Sequence, residues 1–303
     1  MLINTRLTQK ILYKIDRVLL KFLKFWPYFY LQKLFNFPIA KLEFYKKVSY
    51  WPDLKNPKSF NEKVTYKKLH DRNPLLPIVA DKYRVREYVR QLVGEQYLIP
   101  LLQIVEIPEK ISFEALPDEF IIKANFASGL NILIDNRYET NQRELKTQLS
   151  YWMNMKYGYR NLVWFAQEMP RKILVEKLLR DRNGKIPYDY KFFVFHGEVK
   201  FIQVDFDRFG RHSRTLYDKE WKRANFTIKE ELKNAQDIPK PSNFQEMLEI
   251  SRKLAEDFSF IRVDLYNCAN AVFFGELTPF PTSGRAKFHP SNADFEIGKL
   301  WRL

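Results

Sequence analysis

The chain has 303 residues, enough for a sizeable core and two or three subdomains, and its 46% apolar and 16% aromatic content with only 9 glycines excludes a disordered chain or a repeat array. A single cysteine, Cys268, excludes an internal disulfide framework and fits a reducing, cytoplasmic compartment; four scattered histidines without a CxxC pair argue against a zinc site. The net charge is +15 and unevenly placed, since residues 1–47 hold ten Lys or Arg against only Asp16 and Glu43.

That basic segment has helical periodicity. Ile11, Ile15, Val18, Leu19, Phe22 and Trp26 fall on one face, with Lys10, Lys14, Arg17, Lys21 and Lys24 around the other. No apolar run is long enough to span a bilayer, and no signal-peptide pattern opens the chain. Two readings stay open: an interfacial helix drawn to anionic lipid on the inner face of the membrane, or an amphipathic helix packed on the body with a solvated basic face. Nucleic acid is not expected as a partner, because no binding motif accompanies the charge. The aromatic stretch "WPYFYLQKLF" (26–35) reads as core rather than as a sugar-stacking platform.

Residues 1–80 form a helical, basic N-terminal region, punctuated at "WPDLKNPKSF" (51–60) and "DRNPLLP" (71–77). The stretch "DKYRVREYVRQLVG" (81–94) is predicted as a helix with Asp81 at its N-cap and Gly94 at its stop. Strands are expected over 96–107 and 119–126, and a helix over 143–158. From 173 the pattern turns β-rich, with "ILVEKLL", "DYKFFVFHGEVKFIQVDFDRF" (189–209), a polar connection over 210–243, a helix over 243–258 and two strands joined at "NCANA" (267–271). His196 belongs in a hairpin turn. Strands and helices mix without a regular βαβ repeat, which makes the fold class α+β, with a central unit over 81–172 and a C-terminal unit over 173–303.

Asp264 and Glu276 sit inside the last two apolar strands, where unpaired charge is costly. Facing the same side of a hairpin, two carboxylates about 5 Å apart share a proton or hold a cation. Oxygen ligands without nearby His or Cys suit Mg²⁺, which takes one or two carboxylates plus substrate phosphates. The alternative is a pair of structural acids, with Glu276 held by Arg262 or Arg285. Lys123, on the strand "FIIKAN", is followed by the small-residue turn "NFASGLN" (125–131), in outline a phosphate cradle. Lys191, Asp205, Asp207 and Arg208 lie on alternating strands and are candidates for an acceptor cleft, although solvated strand faces have the same pattern.

Taken together, "NPKSFNEKVTYKKLHDRNPLLPIVADKYRVREYV", "YLIPLL", "LPDEFIIKANFASGLN", "DYKFFVFHGEVKFIQVDFDR" and "FIRVDLYNCANAVFFGELTPFPTSG" resemble the teichuronopeptide-biosynthesis (TupA-like) branch of the ATP-grasp superfamily, over about residue 50 to 303. The resemblance implies two α+β subdomains gripping ATP. It implies Lys82 and Lys123 on the phosphates, the loop with Ser128 and Gly129 closing over them, and Glu176, Lys177 and Leu179 at a hinge holding adenine and ribose. It implies Asp264 and Glu276 as magnesium ligands with Thr278 beside them, and Arg262 facing the transferred phosphate. Lys191 is a further catalytic candidate, and Arg285 joins the acceptor candidates. The implied activity is an ADP-forming carboxylate–amine ligase that works through an acyl phosphate, with ATP and Mg²⁺ as cofactors. Its substrates would be a small amine or amino acid and an anionic polysaccharide or sugar acid.

Two motifs depart from the branch. Its usual Glu-x-Asn is Glu276-Leu277-Thr278 here, and its His and Gly in the loop are Phe126 and Ala127. These departures keep a non-catalytic nucleotide- or polysaccharide-binding scaffold open as an alternative. A glycosyltransferase of polysaccharide assembly is the other, although "DFD" (205–207) is the only DxD match and no Gly-rich nucleotide turn precedes it.

Overall fold

The computed structural model describes residues 6–206, 212–228 and 237–303. The N-terminal region is helical as expected: α1 (Arg6–Phe22), α2 (Phe25–Leu34), α3 (Pro38–Val48), α4 (Phe60–His70) and the single turn α5 (Leu76–Val79). The start of α4 is fixed by a capping box, in which Ser59 Oγ accepts from the Glu62 N–H and the Glu62 carboxylate accepts from the Ser59 N–H. The next helix, α6 (Val85–Leu92), begins later than predicted. Asp81 caps a preceding turn instead, its Oδ1 accepting from the N–H groups of Tyr83 (2.8 Å) and Arg84 (3.3 Å). Lys82 therefore lies in a turn and not on a helix.

A first antiparallel sheet has the order β1-β4-β2-β3, from β1 (Leu101–Val105), β2 (Phe120–Ala124), β3 (Asn131–Ile134) and β4 (Ile173–Lys177), with α7 (Gln142–Asn154) inserted before β4. The unit boundary expected at 172/173 is thus misplaced: β4 pairs between β1 and β2, so the chain leaves this sheet only after Lys177.

The second sheet, also antiparallel, has the order β10-β9-β5-β6-β7. It is built from β5 (Asp189–Phe195), β6 (Glu198–Phe206), β7 (Ser213–Asp218), β9 (Phe260–Cys268) and β10 (Ala271–Thr278); β8 (Thr227–Ile228) pairs apart from it with β11 (Phe288–His289). The helix α8 (Phe244–Leu254) precedes β9, and α9 (Ala293–Lys299) closes the chain. The strand β7 corrects the reading of 210–243 as a polar connection. Its Arg214 and Thr215 are buried, so the polarity that suggested a loop belongs inside the sheet. His196 and Gly197 make the β5–β6 hairpin turn with positive φ at both, and Ala269 and Asn270 do the same between β9 and β10.

The N-terminal region is not a separate body. Phe60 of α4 packs its ring against Phe193, Phe195, Phe260 and Trp301 at 5.1–6.3 Å between centroids. Each such buried ring is worth about 1.5–3 kcal/mol relative to exposure. Gly298 allows α9 to approach this point, since an added Cβ would meet the Lys58 carbonyl oxygen at 2.1 Å. Of the WPYFYLQKLF stretch, Tyr28, Phe29 and Gln32 are buried, whereas Tyr30, Leu34 and Phe35 face solvent. Among the described residues no helix is long and apolar enough to cross a membrane.

Candidate active site

One face of the second sheet changes character along its strands. Towards one end, Phe193, Phe195 and Phe260 carry aromatic rings under α4. Two residues further along, the same parity carries Lys191 and Asp189 on β5, and Arg262 and Asp264 on β9. The register places Asp264 beside both Lys191 and Glu276, Arg262 beside Thr278, and Asp189 beside Asp205, which in turn neighbours Arg214. Glu276 reaches this face through a bulge at Gly275, which interrupts the register between Phe274 and Glu276. A side chain at Gly275 would stand 3.0 Å from the Asp264 carbonyl oxygen and from the Tyr266 ring.

The opposed acids do not meet alone, because Arg262 stands between them. Its guanidinium grips Asp264 through two bonds, Nε to Oδ1 at 2.6 Å and Nη2 to Oδ2 at 2.7 Å, and reaches Glu276 Oε1 at 2.9 Å. Thr278 Oγ1 accepts from Arg262 at 3.0 Å and donates to Glu276 Oε1 at 2.9 Å. Lys191 Nζ bonds Asp189 and lies 3.3 Å from Asp205 and 3.5 Å from Asp264. Arg214 Nε donates to Asp205 at 2.8 Å, and Gln203 donates to the same carboxylate. Among the described residues, Asp189, Asp205, Asp264 and Glu276 thus face Lys191, Arg214 and Arg262. Of the two structural partners considered for Glu276, the neighbour is Arg262 and not Arg285.

The environment drives the two acids in opposite directions. Burial pushes Asp264 up to about 6, against the pull of Arg262 and Lys191. Burial also acts on Glu276, but Arg262, Lys82 and Lys191 outweigh it and bring that carboxyl down to about 2. Glu276 is the more accessible, its side chain 30% exposed against 3% for Asp264. A divalent cation approaching from solvent therefore meets a deprotonated oxygen first.

Facing this cluster across a narrow gap are Lys123 of the first sheet and Lys82 of the turn before α6. Lys82, Lys123, Gly129 and Asn131 line the same small cavity as Asp264, Gly275 and Glu276. Lys123 Nζ is 2.6 Å from Glu176 Oε2, and Arg86 lies 3.6 Å from the other oxygen of that carboxylate. Lys82 Nζ donates to the Ala127 carbonyl in the β2–β3 loop, and burial lowers its proton affinity. The loop is fastened at two further points. The Ser128 N–H donates to the Tyr157 hydroxyl at 3.0 Å, and the Phe126 ring is buried against Tyr157 with the Arg171 guanidinium 4.4 Å from its centroid. Gly129, at φ +78°, has open space around it.

A cavity of about 620 Å³ opens beside the gap, lined by Ile121 and Lys123 of the first sheet, the connection from Lys177 to Tyr188, and Asp189, Asp205 and Tyr266 of the second. Lys177, Leu178 and Leu179, the residues for which the resemblance implies a hinge, line this cavity. Glu176 is not among the residues lining this cavity; its carboxylate is turned to Lys123 and Arg86. Arg285 is not brought to the cluster either. It bonds Asn161 at 2.5 Å and lies 3.4 Å from Glu43 of α3, so it ties the N-terminal helices to the C-terminal loop. Asp207 and Arg208 lie outside the described residues. Asp189 and Arg214 were missed in the sequence. The parity of Asp189 with Lys191 on one strand is a signal that could have found it, whereas Arg214 lies in the stretch expected as a polar connection.

The profile of the family described as TupA-like ATPgrasp matches residues 62–302. The chain belongs to the TupA-like ATP-grasp family. Its two antiparallel sheets, with candidate residues from both lining one cavity, are the ATP-grasp architecture. Among solved structures the chain is similar to a D-alanine–D-alanine ligase from Bacillus anthracis complexed with ATP, at 14% identity over 67% of this chain and 54% of that one, TM-score 0.39. It is also similar to the D-cycloserine synthetase DcsG, at 13% identity over 75% and 70% with TM-score 0.39, and to the ATP-grasp ligase PsnB complexed with minimal precursor, at 12% identity over 73% and 60% with TM-score 0.36. The chain spans little more than half the length of the Bacillus anthracis ligase chain bound to ATP. No curated protein matches it.

The donor set can be tested against the magnesium that the fold family implies. Among the described residues no group of three or more His, Cys, Asp or Glu could hold a metal unaided. Asp264 and Glu276 offer two hard-oxygen ligands, so a cation there needs further oxygens from a ligand or water. That fits Mg²⁺ bound together with phosphates and does not fit a protein-caged zinc or calcium.

Proposed function

We propose that this chain is an ADP-forming, magnesium-dependent carboxylate–amine ligase acting in the assembly of a surface polysaccharide such as a capsule, lipopolysaccharide or teichuronopeptide-like polymer. One observation carries this reading: Lys82 and Lys123 face Asp264 and Glu276 across one gap, beside a cavity walled by the Lys177–Leu179 connection. In this reading an acceptor carboxylate oxygen takes the terminal phosphoryl group of ATP, the bond to the bridging oxygen breaks, and ADP leaves. An amine nitrogen then attacks the acyl carbon, phosphate departs with the C–O electron pair, the nitrogen loses a proton and the amide remains.

The residues have separable tasks. Lys82 and Lys123 exchange the Ala127 carbonyl and Glu176 for phosphate oxygens, and closure of the 125–131 loop excludes water. Arg262 supplies fixed positive charge where phosphoryl charge develops. Magnesium held by Asp264 and Glu276 would offset the charge of the phosphates. Lys191, enclosed by Asp189, Asp205 and Asp264, holds Asp264 in place. The polysaccharide acceptor is supported by the family's name and by the +15 net charge, which suits an anionic polymer.

The test is nucleotide release screened over uronic acids and amino acids in pairs. Pair-dependent ADP is expected. AMP release would overturn the acyl-phosphate route, and ATP binding without turnover for any pair would favour a scaffold.

A further inference from the structure

The first helix is packed the wrong way round for a helix that serves only the core. Asp16, 2% exposed, faces inward and accepts from the Tyr28 hydroxyl at 2.6 Å, and the Tyr13 hydroxyl donates to Glu43 at 2.8 Å. Lys156 donates to the carbonyl oxygens of Leu20 and Lys21, and Leu19 and Leu20 pack against the core. The opposite side of α1 points to solvent and carries Ile11, Ile15, Val18 and Phe22, which are 49%, 50%, 52% and 74% exposed. Their spacing of four, three and four residues makes one continuous stripe. Lys10, Lys14, Arg17 and Lys21 are exposed along one flank of it, and the only acid of the helix is the buried Asp16.

We infer that this face of α1 docks the enzyme on an anionic lipid bilayer. An apolar stripe edged by cations is complementary to a surface with hydrocarbon below a layer of negative headgroups: the stripe enters the acyl boundary and the flank meets phosphate. A second copy of the chain is a poorer occupant. Twofold pairing of stripe on stripe would bring two rows of lysine and arginine together with no acid to offset them. The inference does not depend on the ligase reading. A polymer-modifying enzyme held in this way would meet lipid-linked acceptors at the membrane surface.

The experiment is flotation of the full chain with vesicles of phosphatidylcholine alone and of phosphatidylcholine mixed with phosphatidylglycerol. Two variants accompany the wild type: I15E with F22E, and K14Q with K21Q. All four side chains are exposed, so melting temperature should be unchanged and reports that the variants fold. The wild type should float with the mixed vesicles and not with phosphatidylcholine alone. Each double variant should lose about tenfold or more in vesicle affinity. Failure of the wild type to float with anionic vesicles, or equal flotation of the I15E/F22E variant, would overturn the inference. So would a concentration-dependent dimer in light scattering that the I15E/F22E variant converts to monomer, since a second copy would then cover the stripe.

Discussion

The second sheet and the first helix reverse the ordinary distribution of side chains in opposite senses. On β5 and β9, Asp189, Lys191 and Asp264 are at most 4% exposed, in strands whose other buried residues are mostly apolar. On α1, Ile11, Ile15, Val18 and Phe22 lie in water while Asp16 is inside. The first arrangement is costly to build and costly to disturb, because each buried charge relies on its neighbours. The second is cheap to disturb, because exposed apolar atoms make few contacts. Mutation of the sheet face should therefore affect both folding and chemistry, whereas mutation of the helix face should affect only where the protein resides.

The contrast is broken most forcefully at Lys191. Lys191→Met removes the cation shared by Asp189, Asp205 and Asp264, and leaves buried negative charge facing itself. Stability should fall by about 3–5 kcal/mol, read as the midpoint of chemical denaturation. A midpoint unchanged from the wild type would mean that the network is solvated and not structural.

At Lys123 the effect should pass from folding to binding. Lys123→Ala leaves Glu176 with Arg86 as a neighbour, so the fold should persist. A charge-assisted bond to phosphate is worth about 1.5–3 kcal/mol, so ATP affinity measured by calorimetry should drop by about ten- to a hundredfold. Affinity equal to that of the wild type would place the triphosphate elsewhere.

Glu276 gives the contrast a pH dependence. Its carboxyl is held at about 2, below the ordinary 4.5, so its contribution to stability is complete above 4.5 and is lost as pH falls through about 2. With its side chain 30% exposed, that contribution is about 1 kcal/mol after screening. The acid limb of the stability profile between these values should be shallower in Glu276→Gln than in the wild type; an identical limb would mean that other carboxylates carry it. The smallest effect belongs to α1, where Ile15→Glu with Phe22→Glu should leave the midpoint within about 0.5 kcal/mol of wild type.

Much of this was legible in the sequence, for identifiable reasons. Asp264 and Glu276 stood out because charge inside an apolar run needs a partner, and hairpin geometry put them on one side. Lys123 stood out for the same reason. What the sequence did not reveal was pairing between elements distant in the chain. Glu176 meets Lys123 from 53 residues away, and Arg214 hides in a strand whose buried polar residues imitate a loop. The bulge at Gly275 is equally silent in sequence, since a glycine in a strand has several uses. The N-terminal helix was read correctly as amphipathic, but periodicity alone could not say which face would turn inward, and polar contacts from Asp16 and Tyr13 decided it.

The central claim is that Asp264 and Glu276 serve a metal–nucleotide complex and are not only partners of Arg262. The direct measurement is the rise in melting temperature caused by Mg²⁺ and ATP, compared between the wild type and Glu276→Gln. Asp264 continues to hold Arg262 in the variant, and glutamine can still accept from its Nη2, so the ligand-free protein should remain folded with a modestly lower melting temperature. The account predicts a clear rise on adding Mg²⁺ and ATP to the wild type and its loss in Glu276→Gln. A rise of equal size in both proteins would mean that Glu276 is a structural acid and would contradict the account.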